Sequence, residues 1–546
     1  MTDRLGNTVT TGVSRRSFLR YATILSAGTA LTASLGACGG TSNSGGAAGS
    51  GTAIGTAADP QGTITATSAF LFNGGFDPMN TSGAVGTCVN QHVFEALVDL
   101  DPISREPYPA LAKQMPTVGE DGRTWTATLR DGATFSDGTP VTAEDVAWSF
   151  SRVLDPANNA IVAPFVTFLE SVTATDATTV KFTLTAPFAL FAERIAVIKI
   201  VPKALTGDAE AATAFDAAPI GSGPFRLESA SVTNGVVMAN NSHYNGSRPA
   251  LVTTIALRSS NDNSARLNDL EGGLSQAIEA VPYLNAPTLQ GSEFQVDTQQ
   301  AFNLMYILFN CSAPPFDDKR VRQALFHAID TQKVITTALN GYGTAATSYL
   351  DEANPNYQRA ATVYAYDPDK ARSLLAAAGV TNLSFEFVTT NAAFIADSAP
   401  IIIDAWKEIG VHATLNTAPT STVLSQLVPA DTFRVLAGSG DPTVYGPDTD
   451  LLLRWFYYGG QWMTDRCRWN DPALARLTAL IEQAATQAGA EQKATWKQAF
   501  DLISDEVPLY PLFHTKTVTA SDPRALTDFR GAATTGLYFL GTGRTA

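Results

Sequence analysis

Three acidic-glycine pairs, Asp121-Gly122, Asp131-Gly132 and Asp137-Gly138, follow one another closely. No helix runs through such a stretch, because each glycine sits where a tight turn calls for positive φ. Between the first two turns Thr124 to Leu129 alternates in the manner of a strand, so the three turns predict a small meander. Immediately afterwards Thr142 precedes Ala143 and Glu144, with Asp145 three residues on, which is a capping-box start for a helix to about Leu154. A strand period and a helix period thus stand side by side, and the chain is neither all-α nor all-β.

The same alternation continues. Asn303 to Asn310 is a strand-like apolar run stopped by Pro314-Pro315, and Asp317 can cap a helix whose Val321, Ala324, Leu325, Ala328 and Ile329 share one face. Asp367-Pro368 opens a further helix that Gly379 closes, Ile401 to Ile409 reads as another, and a strand follows from about Val411. With 546 residues the chain exceeds a single core, which rarely grows past roughly 250–300 residues, so two or three domains are expected. No internal repeat is visible.

The N-terminus concerns address. Ser14-Arg15-Arg16-Ser17-Phe18-Leu19-Arg20 sets a twin arginine before Tyr21 to Ala37, a run too short and too polar for a transmembrane helix. It ends in Leu35-Gly36-Ala37-Cys38, which resembles the lipobox of bacterial lipoprotein precursors; the alternative is a signal peptide with a chance cysteine. On the lipobox reading residues 1–37 are removed and Cys38 carries acyl chains, each buried methylene holding the protein to a membrane by about 0.8 kcal/mol. Residues 38–58, rich in Gly, Ser, Thr and Ala, form a flexible tether. Losing residues 1–37 removes four arginines against one aspartate, taking the formal charge from −15 to −18. An acidic body of this kind has no excess of cations for nucleic acid, and its only membrane contact is the lipid.

Chemistry-bearing motifs are missing. There is no GxxxxGK[ST] phosphate loop, no GxGxxG fingerprint and no HExxH, and the five histidines lie far apart. Gly438-Ser439-Gly440 reads as a turn and lacks the GxSxG spacing of a nucleophile elbow. Neither a cofactor nor a metal is expected, and the chain does not read as an enzyme. Cys88, Cys311 and Cys467 allow at most one disulfide, and buried free thiols fit equally well.

A resemblance is carried by Phe76-Asp77-Pro78, by Val93-Phe94-Glu95-Ala96-Leu97-Val98, and by the run from Tyr108-Pro109-Ala110-Leu111-Ala112 to Val146. It recurs at Gly221-Ser222-Gly223-Pro224-Phe225, at Pro314-Pro315-Phe316-Asp317-Asp318 with Val321-Arg322-Gln323-Ala324-Leu325, and at Glu506-Val507-Pro508-Leu509-Tyr510-Pro511-Leu512. Together these resemble the extracytoplasmic solute-binding proteins of ABC importers, family 5, the peptide and nickel binders of the dipeptide- and oligopeptide-binding lipoprotein type. The resemblance implies an α/β, two-lobed periplasmic-binding-protein fold (type II, cluster C-like) with an extra inserted subdomain in the first lobe. The first lobe would comprise residues 59–99, the insertion 100–218, then 219–300 and a return at 506–546; the second lobe would span 301–505.

What the resemblance implies for function is a lipid-anchored monomer on the outer face of the cytoplasmic membrane. It would capture short peptides between closing lobes and deliver them to ABC transporter permease subunits. Alternatives are the same role for haem, an oligosaccharide or a nickel complex, or an exported enzyme. In peptide-binding relatives an Asp pairs with the ligand's amino terminus; Gly440-Asp441-Pro442 is the nearest match, with Asp448 and Asp450 as rivals, although Asp441 also suits a turn before Pro442. The tryptophan usual a few residues earlier is absent from Val435-Leu436-Ala437-Gly438. Tyr445, Trp455, Tyr458 and Trp462 are candidate pocket walls, and Asn73 and Phe76 are candidates for the opposite wall.

Overall fold

Two long antiparallel strands organise the molecule. In the computed structural model, which describes residues 60–72 and 74–545, β12 (Gln295–Phe309) and β17 (Leu509–Ser521) pair from Gln295 opposite Ser521 to Leu308 opposite Leu509. Outward from β17 the sheet continues through β11 (Ala277–Ile278), β1 (Thr63–Ser68), β10 (Thr254–Ser259), β9 (Gly235–Asn240) and β8 (Phe225–Ser231). Outward from β12 it continues through β16 (Val435–Gly440), β14 (Leu383–Thr390) and β15 (Val411–Ala418), while β13 (Gly343–Ala345) pairs with β17.

The β12–β17 register slips between Gln300 and Leu304. On one side of the slip β17 also pairs with β11, through Ala520 and Ser521; on the other, β12 pairs with β16 from Leu304 opposite Gly440 to Phe309 opposite Val435. Two half-sheets therefore share a two-strand crossing, and an irregular register there is the kind of place where one half can turn on the other. Burial follows the same division: Gln295 to Gln300 is mostly half-exposed, whereas Leu304 to Phe309 is buried throughout.

Each half is built on parallel neighbours: β1 lies parallel to β10 and β11, and β14 parallel to β15 and β16. Parallel strands need a crossover, and the helix Ala393–Glu408 supplies the one from β14 to β15. Its Trp406 is fully buried, lies edge-on to Phe387 at 4.8 Å and donates its indole N–H to the Leu325 carbonyl at 2.9 Å. Burying a side chain of that size removes more apolar surface from water than any aliphatic residue can, and the buried N–H is satisfied.

Apart from the main sheet, β2 (Val98–Leu100) and β3 (Pro107–Pro109) form a hairpin. A four-stranded sheet follows in the order β4 (Thr117–Val118), β5 (Thr124–Thr128), β7 (Thr179–Leu184), β6 (Leu169–Ala174). The three acidic-glycine turns all carry glycine at positive φ, 65° at Gly122, 70° at Gly132 and 86° at Gly138. Only the first joins two strands of this sheet. The expected meander is thus replaced by a sheet that β5 completes with strands from beyond the next helix, because β7 buries Val180, Phe182 and Leu184 against it. That helix, α1 (Ala143–Leu154), has the predicted capping box: Asp145 N–H donates to the Thr142 hydroxyl at 3.2 Å, and Thr142 N–H donates to the Asp145 carboxylate at 2.9 Å.

Three local expectations are corrected. The helix predicted from Asp317 is capped by Asp318, whose carboxylate accepts from Arg320 N–H at 2.8 Å, and runs Lys319–His327. The helix predicted over Ile401 to Ile409 starts at Ala393 and passes through Pro400; the buried face of Ile395, Ala399, Ile402 and Trp406 outweighs the roughly 3 kcal/mol that an interior proline costs. Gly438-Ser439-Gly440 is extended strand rather than turn, paired with Tyr306, Met305 and Leu304 of β12. The glycines admit neighbours: a Cβ at Gly438 would lie 2.5 Å from the Tyr306 hydroxyl, and one at Gly440 2.7 Å from the Phe456 ring.

Candidate functional site

β16 ends at Gly440, on the edge of its half that faces the other, and the chain turns there through a short 3-10 segment, Pro442–Val444, into α2 (Thr449–Tyr457). Asp441 occupies the turn. Its Oδ1 accepts from Thr443 N–H at 3.3 Å and from the Thr443 hydroxyl; its Oδ2 accepts from Thr535 N–H at 2.8 Å, the Thr535 hydroxyl at 2.9 Å and the Thr534 hydroxyl at 3.2 Å. Thr534 and Thr535 lie beyond β17, so this one carboxylate ties the two halves. Three of its five donors are hydroxyls, which rotate and can yield their place to another donor.

Arg105 reaches the same spot from the tip of the β2–β3 hairpin, where it holds φ at 63°. Its Nη2 donates to the Thr443 carbonyl at 2.6 Å, while Nε is buried without a hydrogen-bond partner. Burial pulls this guanidinium below its ordinary pKa, partly offset by Tyr538, Asp441 and Asp101. Asp101 itself is taken by Arg248 at 2.7 Å.

The rival carboxylates are engaged elsewhere. Asp448 caps α2, accepting from Leu451 N–H at 2.9 Å, and pairs with Arg194 at 2.5 Å. Asp450, fully buried, lies between Arg194 at 2.9 Å and Arg454 at 2.7 Å. Arg194 also donates to the Phe165 carbonyl at 2.8 Å, and the two aspartates hold it above its ordinary pKa against the burial that lowers it. Two arginines and two aspartates thus form a balanced buried network between α2 and the segment before β8.

The aromatic candidates divide into two groups. Tyr445 donates to the Thr81 carbonyl at 3.0 Å and lies tilted against Phe165 and Trp455 at centroid distances of 5.7 and 5.5 Å, so Tyr445 and Trp455 form one aromatic cluster with Phe165. Trp462 is nearly buried, packs on Tyr306 and Phe456, and lies under Arg466 at 4.0 Å. Tyr458 bonds Glu482 at 2.6 Å beneath Arg454. Phe76 is 1% exposed and stacked on Phe72 at 4.8 Å in the core; the solvent-facing apolar residues of that segment are Phe70 and Leu71. Asn73 and Cys38 lie outside the described residues.

Sequence reasoning missed Arg105, Arg194 and the Thr534-Thr535 pair. No motif marks an arginine in a hairpin tip or adjacent threonines, and their relevance comes from long-range packing alone. Cys88, Cys311 and Cys467 are free. Among the described residues no group of three His, Cys, Asp or Glu side chains is placed to hold a metal ion, and no helix is long and apolar enough to cross a membrane.

Residues 106–463 match the family model described as bacterial extracellular solute-binding proteins, family 5 Middle. The glutathione-binding protein GsiB of Escherichia coli (strain K12) is 28% identical over 491 residues, covering 85% of this chain and 91% of that protein. The dipeptide-binding protein from Pseudoalteromonas sp. SM9913, solved with Met-Leu, superposes with a TM-score of 0.79 at 19% identity, covering 88% of this chain and 100% of that one. The oligopeptide-binding protein AppA from Bacillus subtilis, solved with a nonapeptide, gives 0.79 at 20% identity over 89% and 100%. The likeness gives the fold: mixed α/β, in two lobes.

Proposed function

Because the chain belongs to the bacterial extracellular solute-binding proteins of family 5, and so is an extracytoplasmic binding protein of an ABC importer rather than an enzyme, we propose that its cargo is a short peptide held between the lobes. The observation that carries this reading is the position of Asp441: a carboxylate at the end of a central strand, on the junction of the two halves, amid hydroxyls that can give way to an ammonium. A desolvated ammonium needs an opposite charge and a charge-assisted hydrogen bond, and Asp441 offers both. In this reading Tyr445 and Trp455, packed on each other at 5.5 Å, serve as apolar walls. The relatives add support, since GsiB is named for glutathione, a tripeptide, and the two solved structures hold peptides.

The same proposal includes the anchor and the division of the chain. Cys38 is lipidated and holds a monomeric receptor at the outer face of the cytoplasmic membrane, beside its permease. The lobes meet at the β12–β17 crossing, and a ligand touching both selects the closed arrangement by binding it more tightly. Native mass spectrometry of the gently purified protein, followed by denaturing identification of what it carries, tests the cargo. A ladder of short peptides is expected; a single non-peptide mass such as a porphyrin, a sugar or a nickel complex keeps the receptor and removes the role of Asp441.

A further inference from the structure

Two of the three cysteines among the described residues lie against each other. Cys311 follows the end of β12, and Cys467 closes the helical turn Gln461–Arg466, yet the Cys311 N–H donates to the Cys467 carbonyl at 2.7 Å. An amide nitrogen is about 1.5 Å from its Cα and a carbonyl oxygen about 2.4 Å from its own, so the two Cα atoms are within about 6.6 Å of each other. A disulfide spans Cα separations of roughly 4.4–6.8 Å, and this backbone contact holds the pair inside the upper limit.

The side chains reach toward one place. Cys311 donates its S–H to the Phe309 carbonyl at 3.7 Å and Cys467 donates to the Pro508 carbonyl at 3.6 Å, while Phe309 N–H donates to that same Pro508 carbonyl at 2.9 Å. Both thiols thus face the end of the β12–β17 ladder, and after burial the charge of Cys311 is the largest influence pushing the Cys467 thiol up. A thiol is a weak donor, so little holds either sulfur back from the other. Cys88 is the contrast: it belongs to a separate core cluster and donates to the Leu537 carbonyl at 2.9 Å. Access is unequal as well, since Cys467 is fully buried and Cys311 only partly so.

We propose that Cys311 and Cys467 are a redox pair that closes to a disulfide when the folded protein meets a disulfide oxidant outside the cytoplasm, where its family works and where disulfides persist. Cys311 is the point of entry. Its thiolate attacks one sulfur of the oxidant R–S–S–R, which forms a mixed disulfide and expels one thiolate; the Cys467 thiolate then attacks Cys311 Sγ and expels the second. The two protein thiols lose two protons and two electrons, and the oxidant leaves as two R–SH. The bridge encloses about 155 residues, and closing so long a loop restricts the unfolded chain strongly. It staples the half of the molecule built on β14, β15 and β16, whatever the cargo.

The full chain, reduced and then incubated with bis(2-hydroxyethyl) disulfide at pH 8.5 to ionise more of the buried thiol, is unfolded in N-ethylmaleimide and mapped by tandem mass spectrometry. The expected result is a cross-linked Cys311–Cys467 peptide, a protein two hydrogens lighter than its dithiol form, and an alkylated Cys88. The thermal midpoint of the oxidised protein should fall by about 5 °C or more on adding dithiothreitol, and Cys311→Ser should show the low midpoint with or without the reductant. Alkylation of both Cys311 and Cys467 in the oxidised sample, a lasting mixed disulfide on Cys311, or a bridge from either to Cys38 or Cys88 overturns the proposal. A Cys311–Cys467 cross-link whose reduction leaves the midpoint unchanged overturns it too, and the mapping of the wild type decides the pairing even if the serine variant fails to fold.

Discussion

At the scale of single residues the central question is what Asp441 does beyond holding its own turn. Asp441→Ala removes the charge and the acceptors for Thr443, Thr534 and Thr535, so it should weaken peptide binding by about 2 kcal/mol or more and also loosen the junction. Asp441→Asn keeps one acceptor oxygen and separates the effects: affinity should fall in calorimetry while the urea midpoint moves little, and wild-type affinity in either variant would sink the assignment. His92 offers an independent test by pH. Its Nδ1–H donates to the Cys88 carbonyl at 2.8 Å and Nε2 accepts from Phe539 N–H at 3.0 Å, so the ring is neutral, and burial lowers its pKa from 6.5 to about 4. The unfolded chain takes up the proton first, so this contribution is whole above pH 6.5 and is lost as pH falls toward 4, by about 3 kcal/mol. His92→Gln should therefore lose less stability than the wild type between pH 7 and pH 5 in urea titrations; an unchanged difference between the two proteins would refute this.

At the scale of elements the sequence was readable wherever local chemistry decides. Thr142 and Asp145 announce their helix because both halves of the capping box lie within four residues, and Asp367-Pro368 with Gly379 does the same for Pro368–Ala377. Thr142→Ala should cost about 1 kcal/mol in thermal or denaturant unfolding. Legibility failed where distant partners decide. The polar first half of β12 carries no apolar period and is a strand because β17 pairs with it, and Gly438-Ser439-Gly440 is extended because β12 lies alongside. Gly438→Ala tests that last point: a methyl group 2.5 Å from the Tyr306 hydroxyl should cost about 1–3 kcal/mol, whereas a solvent-facing turn would accept alanine freely. The candidate site divides the same way. Asp441 is a candidate through the resemblance at Gly440-Asp441-Pro442, whereas Arg105 and Thr535 come to it only through folding.

At the scale of the whole molecule, the segment that carries Arg194 meets α2 through charged groups that add little net stability. Arg194, Asp448, Asp450 and Arg454 are buried together beside the Phe165, Tyr445 and Trp455 rings. Desolvating four charges nearly cancels their mutual attraction, so such a network adds little net energy while permitting only one arrangement of its members. If the lobes part when empty, the carboxylates and guanidinia exchange each other for water at small net cost, whereas the apolar rings resist exposure; the balance between open and closed is then set within a few kcal/mol, the range a ligand can command. Arg194→Met breaks that balance in a defined direction, because closure would bury Asp448 without a cation, with only the Leu451 N–H left to it, and leave Asp450 only Arg454. The variant should show a larger radius of gyration than the wild type in small-angle scattering with ligand present, and a weaker affinity, with each lobe's secondary structure unchanged by circular dichroism. Wild-type scattering and affinity in Arg194→Met would mean that the network is static packing within one rigid body.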